Sequence, residues 1–421
     1  PGKPEPPSLT KRSREATWTL PHVKLSITLD ATRIDSRHKD RRPVSLECDL
    51  LIAGAGPVGC VIAERASRQL GWRVLLVEQR SHIAGMCYDG AHDSGLLIHH
   101  YGPHYFRTNN LALVEYLSQF TDWIDSNYIV KSCVNGRLYP FPINLTTLEM
   151  FFNRAFSASS AKQFIDDLRV KIDDPQNAEE YVLSRVGREL YETFYRGYTL
   201  KAWDKHPRDL DPSVVGRIPI RFNRDERYVD HAFQKTPALG FTAMFAAMLN
   251  HPNIEVRLNT DYKDVVREIS PRKATVFSGP VDAYFDYRLG KLPWRSAAFE
   301  FQYFAQERRQ PCVQINYPNQ YTYTRTTEIK HITQQQHPGT VVAYEYPGAD
   351  GPPLYPIPAA DTERLYRSYE ELAQQETREN RVYFCGRLAQ YTYINSDQAM
   401  ERALQTFQRI QADALKHSAK A

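Results

Sequence analysis

Apolar residues in this chain alternate between short continuous runs and 3.6-residue spacing, and the switch points mark its elements. Asp49–Ala53 is apolar after its first residue and too short for a helix, so a buried strand is expected there. Gly54–Gly59 turns the chain, Cys60–Leu70 has helical spacing, and Arg73–Val77 is a second buried strand running into Glu78. These three pieces make a βαβ unit. Helical periodicity returns in Leu148–Phe156, Ala161–Lys171 and Ala178–Gly187. Residues 216–233 and 275–345 are rich in β-branched and aromatic residues broken by turn signals, which suits antiparallel sheet. Gly240–Leu249 reads as a helix, Val382–Gly386 as a buried strand and Ser396–Lys416 as a long amphipathic helix. No internal repeat is visible.

The first 46 residues differ from this. They are rich in Pro, Ser, Lys and Arg with little periodicity, and read as a flexible basic leader in which Lys24–Thr28 alternates enough for a short edge strand. They hold ten Lys/Arg against five Asp/Glu, whereas the whole chain is only +4, so the remainder is close to neutral. That balance argues against nucleic-acid binding as the main function. No apolar run reaches transmembrane length, no signal peptide opens the chain, and a longer N-terminus before Pro1 is expected. Six cysteines lie scattered without metal-ligand spacing, so neither a zinc site nor a disulfide framework is expected, and a cytoplasmic setting is. The 26 tyrosines suit either a sheet-rich core or a site that must stack and donate hydrogen bonds.

The glycines carry the first chemistry. Gly54 permits a tight turn, Gly56 lets the backbone approach a pyrophosphate, and Gly59 lets helix and strand pack closely. The helix N-terminus offers free N–H groups to that pyrophosphate. Glu78, 24 positions after Gly54, is placed to accept from a ribose and would repel the 2′-phosphate of NADP. This fingerprint does not separate NAD from FAD. A second Gly-Arg, Gly386-Arg387, follows a late strand and precedes a long helix, as in FAD proteins whose last strand returns to the cofactor, and Arg387 could fork onto the pyrophosphate.

Further runs in order and spacing, Tyr101–His104, Tyr139–Leu145, Gly197–Trp203, Ile218–Asn223, Gly279–Gly290, Thr324–His331, Tyr355–Ile357 and Gly386–Tyr393, resemble the UDP-galactopyranose mutase family over about residues 49–410. The resemblance implies an α/β fold: a Rossmann-like FAD-binding domain with an inserted helical bundle and an antiparallel β-sheet domain. It divides the chain into FAD-binding parts at 47–142, 236–274 and 346–421, a helical bundle at 143–205, and a substrate sheet at 206–235 and 275–345. It implies a UDP-sugar substrate, a reductant such as NAD(P)H, and FAD active in its reduced form, whose N5 attacks the anomeric carbon. Homodimerisation is left open. In that family pattern Arg221 and Arg325 clamp the departing diphosphate, Tyr228, Tyr355 and Tyr393 donate to it, and Phe194 and Tyr198 form the face on which uracil stacks. Trp203 walls the sugar side, Asn144 is a polar contact, and His104 tunes the flavin. Arg80 and Asp397 join the glycines, Glu78 and Arg387 as cofactor contacts.

The chain departs from the family pattern at Ala84-Gly85-Met86, where Gly-Gly-Asn is common, at Arg107 in place of a second histidine, at Asn395 in place of an aspartate, and at Ile394 in place of a larger residue. Arg107 and Asn395 fall beside the sugar, so an altered sugar preference is expected. A FAD oxidase or monooxygenase shares the glycine motifs but has no use for two clamp arginines. A FAD-binding sugar-nucleotide sensor without turnover is the non-catalytic alternative.

Overall fold

The computed structural model describes residues 19–20, 23–24, 47–216 and 218–418. Thr19–Leu20 and Val23–Lys24 pair antiparallel, and the rest of the expected leader and its edge strand, residues 25–28, lies outside the described residues. Residues 47–421 make one compact unit.

Its first layer is a five-stranded, wholly parallel sheet in the order Ile254–Arg257, Val74–Val77, Leu50–Ala53, Ala274–Phe277, Val382–Phe384. The three middle strands are buried along their whole length, so each reads as an unbroken apolar run instead of alternating. The helices Pro57–Leu70, Phe241–Leu249 and Ser396–Ser418 cover one face with Val58, Val61, Ile62, Phe241, Phe245, Met400 and Phe407. The first helix starts at Pro57, three residues earlier than the spacing implied, because proline at the first position lacks only an N–H that would be unpaired anyway.

The second sheet has seven strands in the order Arg137–Phe141, Val130–Val134, Gln314–Asn316, Arg325–Thr327, Thr340–Gly348, Trp294–Phe304, Tyr355–Pro356. All its pairs are antiparallel except Val130–Val134 with Gln314–Asn316. The expected boundaries shift in three places. Residues 130–141, assigned to the dinucleotide part, form an edge hairpin of this sheet. Ala274–Phe277, assigned to the substrate sheet, is instead a central strand of the parallel layer. Within 216–233 the described residues contain no strand until Phe233, and Phe233–Pro237 pairs with Phe106–Thr108 and Trp123–Asp125 in a separate three-stranded sheet.

Leu145–Phe152, Ala158–Leu168, Ala178–Val186 and Gly197–Trp203, the last preceded by a π-helical turn at Tyr191–Arg196, pack with one another and with strands of the second sheet. Leu148, Ile165, Val182, Leu190, Tyr191 and Phe194 make their shared core. All six cysteines are unpaired and buried. Among the described residues no group of side chains could hold a metal, and no helix is long and apolar enough to cross a membrane.

Candidate functional site

The glycine turn is built for close approach. Gly54 has φ +104°, and a Cβ there would lie 2.2 Å from Ser278 Oγ. A Cβ on Gly59 would stand 2.0 Å from the Gly54 carbonyl oxygen, so only glycine lets the helix start against the strand. Gly56 stays extended as the residue before Pro57. Glu78 is 3% exposed: its carboxylate accepts from the Ala55 N–H at 2.9 Å and the Arg80 N–H at 2.9 Å, bracing the turn while standing at the end of its strand. Arg80 lies 3.5 Å from Glu78 and above the Tyr101 ring. Ala84, where the family pattern has glycine, takes φ +72°, and the next residue, Gly85, approaches Gly56 so closely that a Cβ would sit 2.9 Å from its Cα.

Gly386 (φ +110°) and Arg387 close the same corner. The Arg387 guanidinium donates to the carbonyls of Leu354 at 2.9 Å and Ile394 at 2.6 Å and stacks 5.0 Å from the Tyr393 ring. Its fork is thus engaged by main chain, and it pins the turn that carries Tyr393. Asp397, in the first turn of the last helix, is buried with Oδ1 unpartnered, and burial raises its pKa.

Two histidines define a neutral pair. The His104 N–H donates to His99 Nδ1 at 2.9 Å, so the His99 proton sits on Nε2. His104 Nδ1 faces the Gly102 carbonyl at 2.9 Å, which only accepts, so His104 carries its proton on Nδ1 and presents Nε2 as an acceptor. Burial pushes each ring down to about 3, with Arg387 and Arg325 adding to it at His104. His99 Nε2 lies 3.9 Å from Asp89, but with a neutral ring this is no ion pair. Beside them a recess of about 340 Å³, counting space open to solvent, is lined by His99, Gly102, Pro103, Phe299, Phe301 and Glu345.

Arg325 is the centre of the cleft. Its Nε donates to Glu345 at 2.7 Å and its Nη2 to the Tyr355 hydroxyl at 3.3 Å. Burial opposes its charge, but the Glu345 carboxylate outweighs burial and holds the guanidinium charged. Burial also raises Tyr198, and Tyr355 up to about 12, so both phenols are neutral and the anion that holds Arg325 charged is Glu345. Tyr355 stacks 5.7 Å from Tyr393 and stands 6.4 Å from Trp203. Tyr105 stacks 4.2 Å from Tyr128, Tyr228 follows 6.2 Å further, and Arg107 donates to the Tyr105 hydroxyl at 2.8 Å.

So pairwise contacts and charge interactions join His104, Tyr198, Trp203, Tyr228, Arg325, Tyr355, Arg387 and Tyr393 into one cluster. Three expected residues are placed differently. Phe194 is 3% exposed and held edge-on by Tyr139 and Phe151, so its ring has no open face for a base. Asn144 is wholly buried as the N-cap of Leu145–Phe152, accepting from the Thr147 N–H at 2.9 Å and donating to the Asp225 carbonyl at 3.2 Å. Arg221, 7% exposed, is paired to Asp230 at 2.6 Å and to the Arg227 carbonyl. Its charge is directed at its own loop. Asn395 precedes the last helix and its side chain approaches Gln398. Glu345, Tyr128 and His99 were not anticipated. Glu345 alone had a signal, as a carboxylate within an otherwise apolar and aromatic strand.

A glycine turn on a parallel sheet, with a tyrosine cluster around a cation beside it, defines a Rossmann-type dinucleotide-binding fold. A profile of UDP-galactopyranose mutase matches residues 193–393, and one of an NAD(P)-binding Rossmann-like domain matches 52–120. The chain is 36% identical over 365 residues to the "Probable UDP-galactopyranose mutase" of Klebsiella pneumoniae, spanning 85% of this chain and 93% of that one. It is 34% identical over 370 residues to the dTDP-fucopyranose mutase of Escherichia coli, spanning 85% and 97%. A crystal structure of reduced UDP-galactopyranose mutase shares the fold, with TM-score 0.69 and 16% identity over 87% of this chain and 96% of that one. The chain belongs to the UDP-galactopyranose mutase family; it is an isomerase, a pyranose/furanose mutase.

Proposed function

We propose that the chain interconverts the pyranose and furanose forms of a UDP-sugar, galactose or a modified analogue, on a reduced FAD, with NAD(P)H as reductant and the cytoplasm as its setting. The observation that carries this is the half-buried Arg325, held charged by Glu345 and surrounded by tyrosines beside the dinucleotide corner. The residues present fit the dinucleotide: Gly54 and Gly59 let the turn and the helix N-terminus pack tightly against the strand, as this fold requires, and Asp397 and His99 each keep a buried polar atom unpartnered. When bound and reduced, FAD supplies a nucleophilic nitrogen for the anomeric carbon.

The chain's own residues do the rest. Arg325 binds the diphosphate and stabilises the charge that grows on it as it leaves. Glu345 fixes the plane of that guanidinium, and Tyr355 and Tyr393 donate to the same oxygens. Tyr198 and Trp203 wall the nucleoside and the sugar. His104, neutral with Nε2 as an acceptor, receives a hydrogen bond at the reacting face. Arg107 and Asn395 set the sugar preference: a guanidinium offers a donor fork, and an amide donates where a carboxylate only accepts.

The test is turnover of a panel of sugar nucleotides, including UDP-galactose and dTDP-fucose, with and without dithionite, in the parent and in Arg107→His/Asn395→Asp. The parent turns over only when reduced. The double variant gains preference for UDP-galactose by about one to two decades in kcat/KM, the worth of a buried mispaired polar group. Full activity with oxidised enzyme rules out the flavin reading, and an unchanged substrate order rules out the selectivity reading.

A further inference from the structure

The helix Gly197–Trp203 brings Tyr198 and Trp203 to the cleft, yet it is only seven residues long and follows a π-helical turn. A segment that short does not hold its own position. Two cations tie it to the second sheet. Lys201 Nζ reaches four main-chain carbonyls of one turn, those of Gln320 at 3.0 Å, Tyr321 at 3.1 Å, Tyr323 at 3.1 Å, and Tyr317. Arg295, 6% exposed on the strand Trp294–Phe304, donates to the Ala202 carbonyl at 3.0 Å and the Lys201 carbonyl at 3.4 Å. The turn closed by Lys201 runs directly into Arg325, and on its other side Asn319 donates to the Thr193 carbonyl at 3.0 Å.

We propose that Lys201 is a positioning residue for the sugar nucleotide: its ammonium ties the turn before Arg325 to the helix bearing Tyr198 and Trp203, and so fixes the width of the cleft. The inference rests on the reading above that Tyr198, Trp203 and Arg325 touch substrate. An ammonium has three protons and four converging oxygens, all from main chain, so the contact is charge-assisted and draws on no carboxylate. A neutral side chain of similar length leaves those carbonyls without their donor, and the turn is free to move with Arg325. Gly197 keeps the two segments in close contact, since a Cβ there would lie 2.5 Å from Asn319 Oδ1 and 2.6 Å from the Pro318 carbonyl.

The experiment compares Lys201→Met with Lys330→Met. Lys330 is an internal control outside the cleft, 3% exposed and likewise held by carbonyls, those of Glu307 at 3.0 Å, Gly339 at 3.2 Å and His337. Both variants lose thermal stability. Lys201→Met alone weakens UDP binding by calorimetry about tenfold or more and raises KM, as expected when carbonyls beside a site are deprived of a charged donor. Lys330→Met leaves the UDP affinity within about twofold, the scatter expected of an uncoupled site. Gly197→Ala, which forces the turn outward without removing a charge, weakens UDP in the same direction and stands in if Lys201→Met fails to fold. Equal weakening by Lys201→Met and Lys330→Met, or wild-type affinity in Lys201→Met, overturns the proposal. Tyr198→Ala with UDP and Trp203→Ala with the intact UDP-sugar run alongside: wild-type affinity in both removes the underlying reading, whereas weak binding in either with a normal Lys201→Met removes the positioning role alone.

Discussion

At the scale of single residues the structure turns on Arg325 and Glu345. Their side chains are 20% and 9% exposed and 2.7 Å apart, so each is the other's main compensation for leaving water. Removing one partner of such a pair costs about 3–5 kcal/mol, because the other charge stays buried. Arg325→Met therefore lowers the unfolding free energy by that order. Adding Glu345→Gln recovers part of it, and neither variant turns over substrate. Urea unfolding of both singles and the double measures the coupling; additive losses would show that Glu345 does not hold Arg325. The difference between Arg325 and Arg221 was invisible in the sequence, where each is an arginine in a run that the family pattern matches. What separates them is the partner: a buried carboxylate across a sheet for one, and for the other an aspartate in its own loop whose side chain is 66% exposed.

At the scale of elements, the parts that local chemistry specifies were legible. The glycine turn, its two flanking strands and its helix are coded within thirty residues, and Gly54 and Gly59 are each needed by a contact that can be named. The hairpin 130–141 was misassigned because its partner, Gln314–Asn316, stands some 180 residues later, and nothing local marks a strand for one sheet over another. Asn144 shows the reverse error. Asn-Leu-Thr-Thr before an apolar run is a helix start, and the structure has a reciprocal cap with Thr147. Asn144→Ala should cost about 1–2 kcal/mol of stability, the worth of an N-cap, while KM for the sugar nucleotide stays at its parental value. Denaturant unfolding beside steady-state kinetics separates the two roles. A raised KM in a fully folded variant would return Asn144 to the substrate.

At the scale of the whole molecule, His99 and His104 link proton uptake to folding. Both are neutral and buried with values near 3, against about 6.5 in an unfolded chain. The unfolded state then binds more protons between those limits, so stability is complete above pH 6.5 and falls as pH drops toward 3. Asp89 and Asp397, both raised by burial, act in the opposite sense near the carboxylate range and blunt the acid end. The histidine slope therefore shows most clearly between pH 6.5 and 5, at about 1.4 kcal/mol per pH unit for each fully titrating ring. Urea midpoints across that window should shift downward, and His99→Gln should flatten the slope. A midpoint independent of pH would mean that the rings are charged in the folded state.

The six buried cysteines bear on a different property, the frequency with which the fold opens. Cys60, Cys87 and Cys385 line the parallel sheet and its helices, and burial drives each thiol upward, Cys87 to about 12 and Cys385 to about 11, so little thiolate exists at neutral pH. Alkylating reagents act on exposed thiolate. Each cysteine is therefore silent in the closed protein and reports only the moments when its own layer comes apart. Cys133 lies in the second sheet, and Cys312, just before its strand Gln314–Asn316, packs with it. Mass-resolved alkylation can thus time the opening of the two sheets separately, in one sample and without an added label.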